Sequence, residues 1–375
     1  MTGLPEWAAW PARPAGTAAY TLGVEEEVML VSPGGWNLAQ ASDEVLPRLP
    51  PAVRDQFHPE THAAAVEIAT GVHVRVADAI AELRRLRDAL RVTCEAQELA
   101  VASAGTHPFA VWRETAVGRG VRQAEVYGSM RELARREPTF ALHVHVGMPD
   151  PDAAIRVLDR MRVHLPMLLA LSANSPFWQG RDTGLASART PLFQAFPRVG
   201  VPRRFGSYAE WVDTVDLLVH CEAFPDPTYL WWDVRVQPRI GTIEVRIMDA
   251  QTDLARTGTL VALVQSLAKL ESEQGWAEEA SWAPPELWEE NRFLAARDGA
   301  AVSLIAATLR RRVPLADRVE DLLAHLRPHA AELGCLDELE GVVGLVAEPA
   351  AEQQLRLARR PARLPGLVQA LAEAF

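Results

Sequence analysis

The chain of 375 residues carries 49 Asp and Glu against 38 Lys and Arg, a formal charge of −11. That acidic balance argues against a general binder of nucleic acid or of anionic membranes, since both need a basic field. An apolar content of 49% supports a sizeable core and excludes a disordered chain, and the length fits a single α+β enzyme as well as two ordinary units. Lys269 is the sole lysine. A P-loop GK[ST] and the strand lysine of a protein kinase are therefore both absent. Any phosphate must be handled by Arg, His, backbone amides or metal ions. Cys94, Cys221 and Cys335 stand far apart with no CxxC, so neither a disulfide framework nor a zinc cluster is expected. The first twenty residues lack the basic start and apolar core of a signal peptide. The longest apolar stretch, around 165–173, is too short to span a bilayer. These features together predict a cytoplasmic protein.

In chain order, Thr21 to Val31 reads as a strand ending at the Pro33-Gly34-Gly35 turn. Asp78 to Ala100 has apolar residues at helical spacing (Ile80, Leu83, Leu86, Leu90) and predicts an amphipathic helix. Phe140 to Val146 reads as a strand, and Ala153 to Ala173 as a helix broken or bent near Pro166. Tyr208 to His220 predicts a helix, Leu230 to Val236 and Thr242 to Met248 a hairpin turning at Pro238 and Gly241, and Leu254 to Gln274 a long helix. From about Ser281 the chain turns to Ala, Leu, Arg and Glu with helical periodicity to Phe375. The expected organisation is a catalytic core over 1–280 and a helical region over 281–375 packed on it as one functional unit. Hairpin-connected strands among helices predict an α+β fold with a largely antiparallel sheet.

One pattern recurs in four strands. Side chains at i and i+2 of a strand share a face, so Glu25 and Glu27 point the same way, as do His143 and His145, Asp233 and Arg235, and Glu244 and Arg246. A sheet with one wet face explains any one of these, but a solvated face more often uses Thr, Ser, Lys and Gln. Glu25 and Glu27 repel unless a cation lies between them. Carboxylates with an imidazole suit Mg²⁺ or Mn²⁺, and the interleaved arginines match a polyphosphate. The set predicts metal-assisted phosphoryl transfer. Glu26 faces the other way, so it is expected to tolerate substitution better than Glu27, and Glu244→Gln is expected to abolish transfer while leaving the fold intact. Glu67, flanked by aliphatics, reads equally as a further ligand or a strand-edge surface residue. Ser172 to Pro176 reads as an ordinary polar helix end.

Several segments occur in a telling order: Gly23-Val24-Glu25-Glu26-Glu27, Val66-Glu67-Ile68-Ala69-Thr70-Gly71, Gly105-Thr106-His107-Pro108 and His143-Val144-His145-Val146-Gly147. They are followed by the run from Leu171 to Gly184, by Trp232-Asp233-Val234-Arg235 and by Thr242 to Asp249. The ordered set, over roughly residues 20 to 300, closely resembles the YbdK-type carboxylate–amine ligases, the bacterial glutamate–cysteine ligase type 2 family. The resemblance implies a glutamine-synthetase-like fold, a curved antiparallel sheet with helices packed on its convex face. It implies that ATP phosphorylates a carboxylate, glutamate in the type reaction, and that an amine such as cysteine or another amino acid then displaces phosphate. Position by position it implies Glu25, Glu27, Glu67, His143 and Glu244 as ligands of Mg²⁺ or Mn²⁺, His145, Arg235 and Arg246 as contacts to the nucleotide phosphates, and Arg189 as a holder of substrate carboxylate or transferred phosphate. Arg246, Arg235 and Arg189 are the residues it assigns to catalysis. Relatives suggest a homodimer. Two other readings stand beside this one: a small-molecule kinase on the same fold, and a catalytically silent protein that binds nucleotide or amino acid.

Overall fold

Alternation along Leu22–Ser32 builds the longest strand, β1. Leu22, Val24, Glu26 and Val28 are buried on one side, while Gly23, Glu25 and Glu27 turn to the other and are partly open. The computed structural model describes residues 4–12, 16–136, 138–359 and 363–375. Seven further strands join β1 in one sheet: β2 (Asn37–Leu38), β3 (Phe57–Pro59), β4 (Ala65–Ala69), β5 (Ala100–Ala102), β6 (Ala141–Gly147), β7 (Val234–Gln237) and β8 (Thr242–Asp249). The hydrogen-bonded order is β7-β8-β6-β1-β4-β3, antiparallel throughout, and β2 and β5 also pair antiparallel with β1.

Helices cover the face to which Glu26 points. Among α1 (Val76–Glu95), α2 (Val121–Met130), α3 (Pro151–Ser172), α4 (Tyr208–His220) and α5 (Leu254–Glu273), it is α1, α3 and α5 that pack on the sheet. Both α3 and α5 are buried nearly all round, as expected of helices sandwiched between a sheet and an outer layer. An outer layer over α3 and α5 includes α6 (Pro285–Asp298) and α7 (Leu315–Leu333), whereas α8 (Ala350–Ala358) packs on α9 (Arg363–Glu373), which lies directly against β5. Among the described residues no helix is long and apolar enough to cross a membrane.

The register expected for β1 is the observed one, and Glu26 has buried partners on the far side that argue against the tolerance expected of it. Glu26 is fully buried. Its carboxylate accepts two bonds from Arg87 of α1, from Nε at 2.8 Å and from Nη2 at 2.8 Å, and one from the Thr257 hydroxyl of α5 at 2.9 Å. Arg87 also donates to the carbonyls of Gln251 and Thr252, and the Phe375 ring lies 4.5 Å from its guanidinium carbon. The side of the sheet away from the site is a packed interior, and the Glu26 carboxylate on it is tied to two helices.

Three further differences have local causes. Pro166 sits inside α3, which runs on through it from Pro151 to Ser172. The lost backbone bond, about 3 kcal/mol in an exposed helix, is outweighed by burial on all sides. Trp231–Trp232 does not continue β7 but pairs in parallel with Val199–Gly200. Asp233 breaks the strand there, and its carboxylate accepts from Arg292 Nε of α6 at 2.6 Å. The region after Ser281 contains, besides helices, a hairpin of β9 (Ser303–Ala306) and β10 (Arg311–Pro314). The Asn291 side chain of α6 clasps the Ile305 backbone through both its amide and its oxygen.

Candidate active site

Directly opposed residues of antiparallel strands share a face, and the register exploits this. Glu25 lies opposite His143 and Ala69, Glu27 opposite Glu67, and Glu244 opposite both His145 and Arg235. The four strands therefore merge their polar pairs into one field. His143 Nδ1 is 3.2 Å from Glu25 Oε2 and its Nε2 is 3.7 Å from Glu27 Oε1. His145 Nε2 is 3.2 Å from Glu25 Oε1 and 3.8 Å from Glu244 Oε2. Above the field opens a cavity of about 330 Å³ whose wall includes Glu25, Glu27, Glu67, His143, Arg189, Arg235 and Arg246. His145 and Glu244 lie behind that wall: His145 Nδ1 shares a 3.0 Å hydrogen bond with the Thr242 hydroxyl, and its Nε2 faces Glu25 and Glu244.

The acids of the site are held at opposite extremes. Burial and then the charges of Glu25, Glu60 and Glu27 push the Glu67 carboxyl well above the usual carboxylate range. Burial and Glu60 likewise raise Glu27. Burial also opposes the charge on Glu25, yet His145 and His143 beside it hold that carboxyl low. Glu244, by contrast, is fully buried and still held well below its ordinary value, because Arg235 and Arg246 outweigh the burial. Its oxygens accept from Arg235 Nε at 2.6 Å, Arg235 Nη2 at 3.2 Å, Gln237 Nε2 at 2.8 Å and Arg246 Nη1. Those four donors use the carboxylate's whole acceptor capacity.

The donor set fits a divalent cation. Glu27, Glu67 and His143 each offer an atom within 4.8 Å of the others, and so do Glu25, His143 and Glu244. With Nδ1–H of His143 donated to Glu25, Nε2 presents its lone pair toward Glu27. Nε2 is buried and has no hydrogen-bond partner. A ring nitrogen oriented by a carboxylate on its far side is the usual preparation of a ligating histidine. Burial and the charges of Glu25, Glu60 and Glu27 act together against the Glu67 charge and Arg246 opposes them, so a cation relieves it directly. Glu244 becomes a ligand only if Arg246 leaves it.

The site also uses residues that the sequence does not announce. Glu60 lines the cavity and shares a hydrogen bond with Glu67. Arg122, on α2, lines it too, donating to the Thr228 hydroxyl at 2.9 Å and stacking over Tyr229. Neither sits in an alternating strand, so no periodic signal marks them. The segment from Ser172 to Pro176 is more than a polar helix end. Asp249, at the end of β8, accepts from Asn174 N at 2.8 Å, Ser175 Oγ at 2.7 Å and Ser187 Oγ at 2.9 Å. This fixes the start of the short helix that carries Arg189, whose guanidinium reaches the carbonyls of Ile247 and Arg246. Gly105 closes the lock, since a Cβ there would lie 2.6 Å from Asp249 Cγ. Gly105→Ala is accordingly expected to cost about 1–3 kcal/mol by overpacking and to lower activity more than stability, by displacing Asp249 and with it Arg189. Thermal melts and turnover of the same preparation check this.

Comparison with known proteins agrees with the motifs. A family model described as glutamate–cysteine ligase family 2 (GCS2) matches residues 21–373. The chain is 40% identical over 333 residues to "Putative glutamate–cysteine ligase 2-1" of Rubrobacter xylanophilus, covering 88% of each chain. It is 38% identical over 336 residues to a protein of similar name from Gloeobacter violaceus, covering 88% of this chain and 90% of that one. Among solved structures, the fold resembles a bifunctional glutathione synthetase from Pasteurella multocida, with a TM-score of 0.71 at 14% identity. The match covers 95% of this chain, which spans about half of that longer protein (53%). It also resembles a glutamate–cysteine ligase from Francisella tularensis solved with AMP, with a TM-score of 0.70 at 13% identity, covering 95% of this chain and 88% of that one.

Proposed function

This chain belongs to glutamate–cysteine ligase family 2, and from that premise we propose that it joins a small carboxylate to an amine with ATP as the activating substrate. The observation that carries the reading is one cavity whose wall gathers the carboxylates Glu25, Glu27, Glu60 and Glu67 together with Arg189, Arg235 and Arg246. A carboxylate resists nucleophiles because its charge repels them and oxide is a poor leaving group. Transfer of the γ-phosphoryl group to one of its oxygens, with release of ADP, supplies the leaving group. The amine then attacks the carbonyl carbon, the bond from that carbon to the phosphate oxygen breaks, and the amide and inorganic phosphate depart.

Mg²⁺ or Mn²⁺, held by Glu27, Glu67 and His143 with Glu25 and, once Arg246 has moved, Glu244, would neutralise the charge between the phosphates and the acceptor carboxylate. The arginines act on the transferring group. Arg246 and Arg189 each keep a buried Nε without a partner, a donor free for an oxygen of the phosphoryl group or of the substrate carboxylate. Arg235 is anchored by the carbonyls of Thr228 and Leu230 as well as by Glu244, so it presents a fixed charge rather than a mobile one. No enzyme nucleophile is needed, and among the described residues neither a serine nor a cysteine lines the cavity.

The finer parts of the proposal are glutamate as the carboxylate, cysteine or another amino acid as the amine, a homodimer, and a cytoplasmic location where ATP is at hand. The region over 281–375 belongs to the same functional unit as the core over 1–280. That reading is supported by the buried Arg292–Asp233 pair and by Gln354 of α8, whose amide reaches the Asn174 carbonyl at 2.8 Å.

A hydroxamate trap tests the activation step apart from the choice of amine. The protein is given ATP, Mg²⁺ or Mn²⁺, hydroxylamine and a panel of carboxylates led by glutamate, and both ADP and hydroxamate are scored. Hydroxamate in step with ADP is the expected result and names the acid. ADP with a stable phosphorylated product and no hydroxamate would mean a kinase, and neither product across the panel would leave only a binding role.

A further inference from the structure

On the helical side of the sheet a second cavity, of about 460 Å³, opens between the first half of α3, the turn at Arg204 to Gly206 and the segment 277–282. It shares no lining residue with the active-site cavity. Three arginines border it: Arg156 and Arg160, one turn apart on α3, and Arg204.

Their nearest acids are already committed elsewhere. Asp159 accepts from the backbone amides of Phe205 at 3.0 Å and Gly206 at 3.1 Å, and Arg204 Nε comes only within 3.7 Å of it. Glu271 is hydrogen-bonded to His164 at 2.7 Å and accepts from the Ala277 amide at 3.1 Å, and Arg160 Nε comes only within 3.8 Å of it. Arg156 has no ion pair or hydrogen bond among the described residues. Glu278, on the same wall, is exposed and forms no ion pair among them either.

The chain is also shaped around one of these cations. A Cβ on Gly275, which has φ +63°, would fall 2.6 Å from the Arg160 guanidinium carbon, so the glycine makes the room in which that group lies. Trp282 stands 55% exposed on the rim. The acids paired to Arg160 and Arg204 come no closer than 3.7 Å, so the three guanidinium groups bordering the cavity keep donors for an oxyanion, and their planar forks match phosphate and carboxylate oxygens alike.

We propose that this cavity is a binding site for a small oxyanion of two or more negative charges, gripped by Arg156, Arg160 and Arg204 beside the Trp282 indole. Phosphate esters and polycarboxylates share that chemistry, and the test separates them.

Pyrophosphate and, separately, citrate are titrated calorimetrically into the full-length protein at fixed ionic strength. Wild type is compared with the double variant Arg156→Gln/Arg160→Gln and with Arg246→Gln. Wild type is expected to show a class of sites that Arg246→Gln retains and that the double variant weakens about tenfold or more. Trp282→Phe should remove the fluorescence change that accompanies binding. Unaltered melting and hydroxamate turnover in the double variant show that its fold and active site are intact, so failure here is distinguishable from failure of the ligase reading. Binding of pyrophosphate alone identifies a phosphate site, of citrate alone a polycarboxylate site, and of both a site that reads charge. An isotherm unchanged in the double variant, anion binding wholly lost in Arg246→Gln, or no binding of either anion at millimolar concentration overturns the proposal.

Discussion

Glu244→Gln is expected to reduce hydroxamate formation on the order of 10³-fold and, contrary to what strand alternation alone implies, to lower the melting temperature as well. On a solvated face the change would remove one charge and little else. Glu244 is instead the fully buried meeting point of Arg235, Arg246 and Gln237. Its neutralisation leaves two buried guanidinium groups without their shared anion. Removing one partner of such a pair typically costs about 3–5 kcal/mol. The same carboxylate would join the cation's ligands when Arg246 swings to the phosphoryl group, so the substitution disturbs both the resting contact and the working one. Glu25→Gln separates the two effects. Glu25 keeps 27% of its side-chain surface open and, among the described residues, its ion pairs are with His143 and His145, so it should lose turnover to a similar degree with a smaller change in melting. Turnover by Glu244→Gln at the wild-type rate would remove Glu244 from the site.

Glu26→Gln is expected to destabilise the protein by about 3–5 kcal/mol, with turnover per folded molecule close to that of wild type at low temperature. The side chain points away from the cavity, yet its two bonds to Arg87 and one to Thr257 tie β1 to α1 and α5. The amide can accept one of the Arg87 bonds but presents an NH₂ group to the other, and the guanidinium stays buried without its counter-charge. Chemical denaturation with turnover measured on the same samples checks this. A stability within about 0.5 kcal/mol of wild type, the range of ordinary surface substitutions, would show that the pair does not hold the helices to the sheet. The companion Glu27→Gln should behave in the opposite way, losing turnover with a modest change in stability, because its side chain lines the cavity.

Glu25, Glu27, His143 and Glu244 were legible because a strand has a period of two. Any alternation of charge with aliphatic residues assigns the charged set to one face whatever the rest of the chain does. The sole lysine likewise excluded whole classes of phosphate site by composition alone. Glu60 and Arg122 were not legible. The first follows a three-residue edge strand and the second sits on the open side of a ten-residue helix, and single charges in such places are ordinary surface residues until something is packed opposite them. Asp233 illustrates the converse. Its alternation with Arg235 predicts a shared face, but Arg292, 59 residues away along the chain, draws its carboxylate out of the ladder.

The sequence by itself thus determined the chemistry of the working face: acids and histidines on adjoining strands, arginines among them, and no alternative phosphate handle. Tertiary structure alone decided what lies behind that face and at its edges. It made Glu26 a buried pair rather than a spare carboxylate, made Asp249 with Ser175 and Ser187 the lock that aims Arg189, and saturated Glu244 with arginines. The reason is one of range. Periodicity is a property of neighbouring residues and can be read locally, whereas the partner of a buried charge is set by which distant segment the fold brings against it.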